Sequence, residues 1–348
     1  MYKGLIRPIL FRLPPEAAHR LTLKLIGLSG KVSVLRDLLS RLYMPKPTPV
    51  QVFGLTFPNL VGLAAGYDKD AEAIAGLSAL GFGHIEVGTI TPEPQTGNPK
   101  PRVFRLQADG GIINRMGFPG NGAEKALKQL GKHNYLNAII GINIGKNKDT
   151  PLVRAAGDYT FLVKKFSRYA DYLAINISSP NTVGLRKLQH QKYLDALLQE
   201  IGAAKQEQEK LLDKKIPLLV KLSPDMESGE LDNALEAITA SQIDGIIATN
   251  TTIARPKLQS HFRAETGGLS GEPLRERATQ TIAHIARHTN GNLPIIGVGG
   301  IASPQDAQEK LDAGAVLVQV YTGLIYQGPG LVRRIVEQTF SNNIIRDV

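Results

Sequence analysis

The sequence contains no cysteine, which excludes disulfides, thiolate metal sites and cysteine nucleophiles anywhere in its 348 residues. It also lacks any apolar run of the roughly 20 residues that are needed to span a bilayer. The N-terminal segment has no continuous apolar stretch like that of a signal peptide, because Arg7, Pro8 and Arg12 interrupt it. These absences are compatible with a reducing compartment and predict a protein that does not cross a membrane by itself.

The positive charge of the chain is concentrated at its N-terminus. The net charge is +10, and residues 1–48 carry nine lysines and arginines against Glu16 and Asp37, so this segment holds seven of the ten charges. A basic segment of this kind is typical of proteins that bind nucleic acid or an anionic membrane. Because the charge lies within apolar helical patterns, we expect an anionic membrane surface as a partner and no nucleic acid.

Apolar residues at helical spacing predict short amphipathic helices at residues 2–12, 15–28 and 32–43. The stretch from Pro45 to Pro49 holds three prolines and predicts a stiff linker. We therefore divide the chain into a helical extension, residues 1–48, and a main domain, residues 49–348.

After the linker, strand and helix patterns alternate. Short apolar and β-branched runs occur at residues 60–65, 84–88, 138–144, 172–177, 216–222, 244–249, 294–298 and 315–320. Helix-length patterns occur at residues 70–80, 121–131, 155–168, 190–213, 228–240, 272–288, 303–312 and 328–340. Eight such strands predict parallel pairing and closure into an α/β fold of the (β/α)8 TIM barrel type. A doubly wound open sheet is the competing architecture, and the absence of an early Gly-x-Gly-x-x-Gly motif disfavours it.

A long segment, residues 90–120, follows the second predicted strand and is rich in proline and glycine. It contains a predicted hairpin in which residues 103–106 pair with residues 111–113. Long insertions at the carboxyl end of barrel strands usually carry function.

Polar side chains follow most of the predicted strands, at the end of a barrel where active sites form. These are the amides, hydroxyls and lysines of Lys69, Thr89, Asn143, Asn176, Lys221, Thr249 and Asn250. A lone asparagine is often only a turn former, but this many at one mouth indicate a site for a flat heteroaromatic ligand. Carboxylates and histidines are scarce there, so a metal hydrolase or two-carboxylate glycosidase is disfavoured and no metal is expected.

A glycine-rich turn, Gly297–Gly300, follows the seventh strand, and Tyr321-Thr322 follows the eighth. These positions match the usual phosphate site of the fold, where glycine lets backbone N–H groups approach an anion. A phosphorylated cofactor is therefore expected, and flavin mononucleotide (FMN) has the right parts.

Six motifs at these positions closely resemble those of the class 2, quinone-dependent dihydroorotate dehydrogenases. They are Gly62–Asp70, Asn114–Phe118, Gly141–Asn147, Asn176–Thr182, Ala248–Thr252 and Gly267–Gly271. The resemblance runs essentially end to end and includes the helical extension. It implies a flavin-dependent oxidoreductase of de novo pyrimidine biosynthesis.

The resemblance implies one FMN per chain and a set of residues that hold it. That set is Ala65, Gly66, Tyr67, Asp68, Lys69, Thr89, Asn143, Asn176, Lys221, Thr249, Gly271, Gly300, Tyr321 and Thr322. Two departures from the family pattern fall within it: Tyr67 stands where an apolar or phenyl residue is usual, and Thr322 where a serine is common.

The resemblance also implies the residues that bind dihydroorotate. They are Asn114, Arg115, Met116, Gly117 and Phe118 of one loop, together with Lys69, Asn176, Asn181, Asn250 and Thr251. Asparagine amides both donate and accept hydrogen bonds, which suits a ring with ureido and carboxylate groups. Lys69 supplies a cation for the anionic substrate.

By the same resemblance, Ser179 removes the C5 proton of (S)-dihydroorotate while hydride passes from C6 to FMN, giving orotate. A serine hydroxyl is a poor base unaided and must pass its proton on. We expect a relay through Thr182 or a bound water. Thr182 as a simple turn residue is an equal alternative.

For the extension, the resemblance implies a surface that lies on the membrane and guides a quinone to the flavin, with His19, Arg105 and Tyr321 lining the quinone site. Basic amphipathic helices attach reversibly to anionic membranes. Without a transit peptide, we expect a peripheral protein on the cytoplasmic face of the bacterial inner membrane. A packing cap for one end of the barrel is the alternative role of these helices.

Three other functions compete with this interpretation. A soluble class 1-like dehydrogenase would use fumarate or NAD, but Ser179 and the basic helices oppose it. A flavin barrel acting on RNA, such as a dihydrouridine synthase, would use a catalytic cysteine, which this chain lacks. The third is a non-enzymatic barrel that serves as a binding module.

Overall fold

Eight parallel strands close into a barrel in the computed structural model of the chain, which describes residues 2–132, 138–241 and 243–346. In chain order, barrel strands 1 to 8 are Val61–Leu63, His84–Ile90, Ile139–Ile144, Tyr172–Asn176, Leu218–Leu222, Gly245–Ala248, Ile295–Val298 and Ala315–Val320. Strand 8 pairs in parallel with strand 1, which closes the circle. The predicted (β/α)8 barrel is confirmed, and the open-sheet alternative is wrong.

Helices surround the barrel at all eight predicted positions. They are Ile74–Ser78, Gly122–Leu130, Ala155–Phe166, Gln191–Leu212, Ser228–Ala240, Arg275–His288, Pro304–Asp312 and Gly330–Arg346. The first is shorter than the predicted 70–80, because the buried carboxylate of Asp68 accepts hydrogen bonds from the N–H groups of Glu72 and Ala73 and holds the preceding residues in a loop. A further short helix, Thr322–Gln327, follows strand 8 and was not predicted.

Barrel strands are buried on both faces, which explains their continuous apolar runs. Leu173, Ala174 and Ile175 of strand 4, for example, are fully buried. The barrel and its helices share one large hydrophobic core.

The extension forms helices over the mouth of the barrel. A turn of π-helix, Tyr2–Ile6, leads into Arg7–Arg12, and Pro15–Lys31 and Ser33–Tyr43 follow. These confirm the predicted helices, although the second is three residues longer than predicted. The Tyr2 hydroxyl donates to the Ile325 carbonyl at 2.7 Å, which ties the first turn to the loop after strand 8.

Two glycines bring the extension against the barrel. A Cβ added at Gly30 would lie 2.4 Å from the Gly76 nitrogen, and one added at Gly76 would lie 1.9 Å from the Ile26 carbonyl oxygen. Helix Pro15–Lys31 therefore contacts helix Ile74–Ser78 backbone to backbone, at a distance that no side chain allows.

The opposite end of the barrel is covered by a hairpin, Val50–Val52 paired with Leu55–Phe57, which was not predicted. The Phe57 ring meets the His84 ring edge-on, with centroids 5.4 Å apart, and Phe53 lies against Gly245. These contacts are at the start of strands 2 and 6, so the hairpin seals the bottom of the barrel.

A second small sheet lies at the mouth. Its strands are Val103–Leu106, Gly111–Asn114 and Gly268–Gly271. The second of these lies in the middle and pairs antiparallel with each of the other two. The predicted hairpin is confirmed, and its third strand, from beyond strand 6, was not foreseen. Among the described residues, every helix is too short or too polar to serve as a membrane span.

Candidate active site

One cavity of about 810 Å³ runs from between the helices of the extension into the mouth of the barrel. Most residues predicted to hold cofactor, substrate or quinone line it. They are Ala65, Gly66, Tyr67, Lys69, Thr89, Asn176, Lys221, Thr249, Gly271, Gly300, Tyr321 and Thr322, with Asn114, Met116, Gly117, Phe118, Asn181, Asn250, Thr251, Ser179, His19 and Arg105. The structure thus brings residues from the ends of the strands and from the extension around one space.

Four predicted residues lie behind the cavity wall. Asp68 anchors the loop after strand 1, and burial raises the pKa of its carboxyl group to about 6. The Arg115 guanidinium forms an ion pair with Glu265 at 2.6 Å, and Arg115 does not line the cavity. Asn143 and Thr182 are buried but do not line the cavity.

A buried polar network fixes the ends of strands 2 to 5. Glu86 accepts from the Asn143 amide at 2.8 Å, and Lys221 Nζ lies 3.5 Å from the same carboxylate oxygen. Asn143 Oδ1 in turn accepts from the Thr89 hydroxyl and the Asn176 amide. Since Glu86 and Asn143 are fully buried, the network pre-orders Thr89, Asn176 and Lys221 at the cavity wall.

Glu86 was not predicted as part of the site. Its carboxylate also accepts from Tyr172 at 3.1 Å and from Gln319 at 2.7 Å. Sequence reasoning had given weight to strand ends, whereas Glu86 lies in the middle of strand 2. A charged residue in an otherwise apolar strand was the signal that could have found it.

The loop Asn114–Phe118, which is predicted to bind the substrate, is attached to the loop after strand 4. The Asn181 side-chain amide donates to Asn114 Oδ1 at 3.1 Å, and the Asn98 amide donates to the carbonyls of Arg115 and Asn181. On the other side, the Asn250 amide donates to Asn176 Oδ1 and Ser178 Oγ. The four predicted asparagines therefore form two hydrogen-bonded pairs, Asn114 with Asn181 and Asn176 with Asn250.

Ser179 lies at the cavity wall and is 5% exposed. Its hydroxyl oxygen accepts from the Asn181 N–H at 3.3 Å. The nearby Thr182 hydroxyl is buried and has no hydrogen-bond partner among the described residues. Thr182 is thus a buried hydroxyl whose hydrogen-bonding capacity is free.

Arg186 links three segments of the site and was not predicted. Its guanidinium donates to the Ser178 carbonyl at 3.1 Å, to the Thr251 carbonyl at 3.0 Å and to Asp225 at 2.9 Å. Asp225 also accepts from the Ile253 N–H and the Thr252 hydroxyl. The pair holds the loops after strands 4, 5 and 6 in register around the cavity.

Lys69, the cation predicted to bind the substrate, lines the cavity. Its ammonium group donates to the Gly66 carbonyl at 2.6 Å. Burial lowers the pKa of Lys69 to about 8, despite the opposing charges of Asp70 and Asp68.

The predicted quinone residues surround the end of the cavity under the extension. The His19 ring meets Tyr67 edge-on at 5.0 Å, and Tyr67 meets Tyr321 at 5.9 Å. Burial, with the charge of Lys69, lowers the pKa of His19 to about 3, so its imidazole is neutral at physiological pH. His19, Tyr67 and Tyr321 therefore form an aromatic, uncharged part of the lining, and Arg105 is the charged member of the predicted quinone site.

Two arginines of the mouth hairpin bind the extension. Arg105 donates to the Leu10 carbonyl at 3.1 Å and to the Leu13 carbonyl, at the end of helix Arg7–Arg12. Arg102 is 7% exposed and forms a two-nitrogen contact with Glu16 at 3.0 and 3.1 Å. Sequence reasoning missed the role of Arg102, since its partner lies 86 residues away.

Comparison with known proteins identifies the family of the chain. A family model described as dihydroorotate dehydrogenase matches residues 48–341. The dihydroorotate dehydrogenase (quinone) of Acidithiobacillus ferrooxidans is 51% identical over 344 residues, which cover 97% of this chain and 94% of the relative. That of Idiomarina loihiensis is 49% identical over 335 residues, which cover 96% and 98%.

A solved structure leads to the same family. The crystal structure of DHODH from Eimeria tenella in complex with ferulenol is 40% identical, with a TM-score of 0.82 over 90% of each chain. Both bacterial relatives span nearly the full chain, so the similarity extends beyond the barrel into the extension. The chain belongs to the dihydroorotate dehydrogenase family of oxidoreductases.

Proposed function

We propose that the chain oxidises (S)-dihydroorotate to orotate at FMN and passes the electrons to a membrane quinone. The observation that carries the proposal is one cavity that is lined both by Ser179 and the predicted asparagines and by the aromatic residues Tyr67 and Tyr321, which lie next to His19 of the extension. One space of this kind gives a soluble substrate and a lipophilic acceptor separate access to one cofactor. The names of the two bacterial relatives specify a quinone.

The residues at the mouth fit a bound FMN. Gly300 has φ +77°, and a Cβ there would lie 2.4 Å from the Arg275 Cα; Gly271 has φ +90°, and a Cβ there would lie 2.3 Å from the Gly110 carbonyl oxygen. Side chains are excluded at both points, so the backbone itself faces the cavity, as a phosphate requires. Lys221, Thr89 and Asn176 offer donors for the ring system.

FMN, when bound, supplies the hydride acceptor. The protein's own contribution is to hold dihydroorotate in a fixed orientation. Lys69 offers a positive charge to the substrate carboxylate, and the amides of Asn114, Asn181 and Asn250 surround its ring. Orientation by several pre-ordered groups lowers the barrier because little freedom is lost during reaction.

Ser179 takes the C5 proton in this proposal, and its own hydroxyl proton must leave. The described structure contains no imidazole or carboxylate hydrogen-bonded to Ser179 Oγ. The free Thr182 hydroxyl supports a relay, with Thr182 or a water receiving the proton.

The surface of the extension supports a position on a membrane. Of nineteen exposed large apolar side chains in the described part of the chain, eleven lie between Leu5 and Leu42. The same segment carries most of the net positive charge. An apolar, cation-rimmed surface attaches to anionic lipid, which supports a peripheral protein on the cytoplasmic face of a bacterial inner membrane.

Anaerobic bleaching of the flavin tests the chemical step. The purified protein is expected to be yellow and to lose its colour when dihydroorotate is added. Ser179→Ala is expected to slow bleaching by about 10²- to 10⁴-fold, the range for loss of a positioned base. Ser167→Ala, a buried serine away from the cavity, is the control. A colourless protein, or wild-type bleaching in both Ser179→Ala and Thr182→Val, contradicts the proposal.

The choice of acceptor distinguishes the proposal from a soluble dehydrogenase that uses fumarate or NAD. Full-length protein is expected to reduce ubiquinone or menaquinone and not fumarate or NAD. Deleting residues 1–45 should abolish quinone reduction. Quinone activity that survives this deletion would show that the extension does not form the quinone path.

A further inference from the structure

A cluster of metal-ligating side chains lies outside the cavity, between two neighbouring outer helices. Asp232 is on helix Ser228–Ala240, and His284 and His288 are on helix Arg275–His288. The two histidines are four residues apart, so they share one face of their helix. None of the three lines the large cavity, and the chemistry proposed there does not use them.

The three side chains already converge. His284 Nε2 lies 2.6 Å from Asp232 Oδ1, and His288 Nδ1 lies 3.1 Å from the same oxygen. The three ligand atoms all lie within 4.8 Å of one another. The imidazole rings are nearly parallel, with 13° between their planes. The side chains are 29–37% exposed, so an ion from solvent has access.

We propose that Asp232, His284 and His288 form a binding site for a divalent transition metal such as Zn²⁺, Ni²⁺ or Cu²⁺. Imidazole nitrogen suits these ions, whereas Mg²⁺ and Ca²⁺ prefer oxygen ligands alone. Three protein ligands with water in the remaining position are a normal coordination for zinc. The ion would replace the hydrogen-bonding protons that now join the carboxylate to the two rings.

Such an ion links the helices that follow strands 5 and 6. Because the ligands meet only in the folded chain, a bound ion stabilises the native state. A metal at this site would depart from the sequence-based expectation of no metal, which was drawn from the residues at the strand ends. The spacing of His284 and His288 was visible in the sequence, but Asp232 lies 52 residues before His284 and could not be paired with it.

Calorimetric titration of tag-free, metal-stripped, full-length protein with ZnCl₂ tests the proposal. One Zn²⁺ per chain is expected, together with a higher melting temperature. His284→Gln and His288→Gln are each expected to weaken binding at least about tenfold, since even residues that only support a metal ligand change affinity by about that factor. His190→Gln is the matched control, because His190 also faces a carboxylate, Glu230 at 3.7 Å.

Electron paramagnetic resonance with Cu²⁺ gives a second readout. Wild-type protein is expected to show coupling to two imidazole nitrogens, and His288→Gln coupling to one. Melting of the metal-free variants checks that each is folded. The site would be overturned if the wild-type protein failed to bind Zn²⁺ and Cu²⁺. It would also be overturned if folded His284→Gln and His288→Gln bound the metal as tightly as the wild-type protein. Either result would leave only a hydrogen-bonded surface cluster.

Discussion

Burial and the negative charge of the proposed substrate shift the pKa of Lys69 in opposite directions. Burial beside the cavity lowers the pKa of its ammonium group to about 8. The cationic form therefore predominates below pH 8 and is lost as the pH rises through that value. A substrate carboxylate bound next to it would favour the charged form.

We expect kcat/KM for dihydroorotate to fall above pH 8, approaching about tenfold per pH unit, because kcat/KM reports ionisation of the free enzyme. Lys69→Met should have a low kcat/KM with no such decline. Steady-state kinetics from pH 6 to 10 measure both. A wild-type profile that stays flat to pH 10 would contradict the role of Lys69 as the substrate cation.

His84 shows the opposite situation, a buried titratable group without a hydrogen-bond partner in the described part of the chain. Neither ring nitrogen is hydrogen-bonded to a described residue, and burial lowers the pKa of His84 to about 3. The unfolded chain has a histidine pKa near 6.5. The stability that depends on neutral His84 is therefore complete above pH 6.5 and is lost as the pH falls from there towards 3.

Replacing His84 by leucine should make stability less sensitive to acid. Below pH 6, the wild-type free energy of unfolding is expected to lose about 1.4 kcal/mol per pH unit from this residue alone. Melting temperatures at pH 7 and pH 5 should differ less in His84→Leu than in wild type. His261→Leu, at an exposed position, should leave the difference unchanged. Equal acid sensitivity of His84→Leu and wild type would refute this role.

At the scale of elements, the loops of the active site depend on one another through Arg186. Its guanidinium donates to two loop carbonyls and to Asp225 at once. The ammonium group of lysine is a compact point charge without such a fork of donors, so it cannot make all three contacts. Arg186 binds the carbonyls of Ser178 and Thr251, which are the sequence neighbours of Ser179 and Asn250. Arg186 is thus expected to be a positioning residue for groups that are proposed to face the substrate.

Arg186→Lys is expected to lower kcat/KM by about 10²-fold, as small displacements of catalytic groups do. The flavin content and melting temperature should change little. Arg277→Lys is a matched control, since Arg277 contacts Asp225 at 3.4 Å without reaching either loop carbonyl that Arg186 binds. A loss of flavin or of folding in proportion to activity would indicate a purely structural role.

The contact of helix Pro15–Lys31 with helix Ile74–Ser78 leads to a prediction about the extension. Gly76→Val places a side chain where the Ile26 carbonyl lies, so the helix must move away. We expect quinone reduction to fall while bleaching by dihydroorotate persists. Gly202→Ala, at a helical glycine with open space around it, is the control. Equal loss of both half-reactions would indicate that the extension supports the whole barrel.

At the scale of the whole molecule, apolar surface and positive charge coincide on the extension. We expect the protein to sediment with anionic lipid vesicles and to be released as salt increases, because screening weakens attraction between exposed charges. Leu25→Glu with Leu38→Glu should reduce binding, whereas Leu211→Glu, at a more exposed site on an outer helix of the barrel, should not. Binding that is unaffected by the first pair and by salt would exclude this surface as the membrane contact.

The sequence by itself determined the eight strands, the helices around them and the hairpin at residues 103–113. Each of these has a periodic apolar pattern or turn signal within a few residues, which local reading detects. It also determined most of the cavity lining, because the carboxyl ends of parallel strands must meet at one mouth. The family could be recognised from the sequence because its motifs are short, continuous segments, most of which lie at the ends of the strands.

Only the tertiary structure decided which distant groups touch. Arg102 with Glu16, Arg186 with Ser178 and Thr251, and Asp232 with His284 each join segments that share no local pattern. The bottom hairpin was also missed, because three-residue strands are too short to establish a period. Arg115 and Asp68 do not line the cavity because the fold supplies other partners for their side chains. Glu265 pairs with Arg115, and the N–H groups of residues 72 and 73 donate to Asp68. Side-chain direction is set by the nearest complementary charge or donor in space, and the linear order of residues does not contain that information.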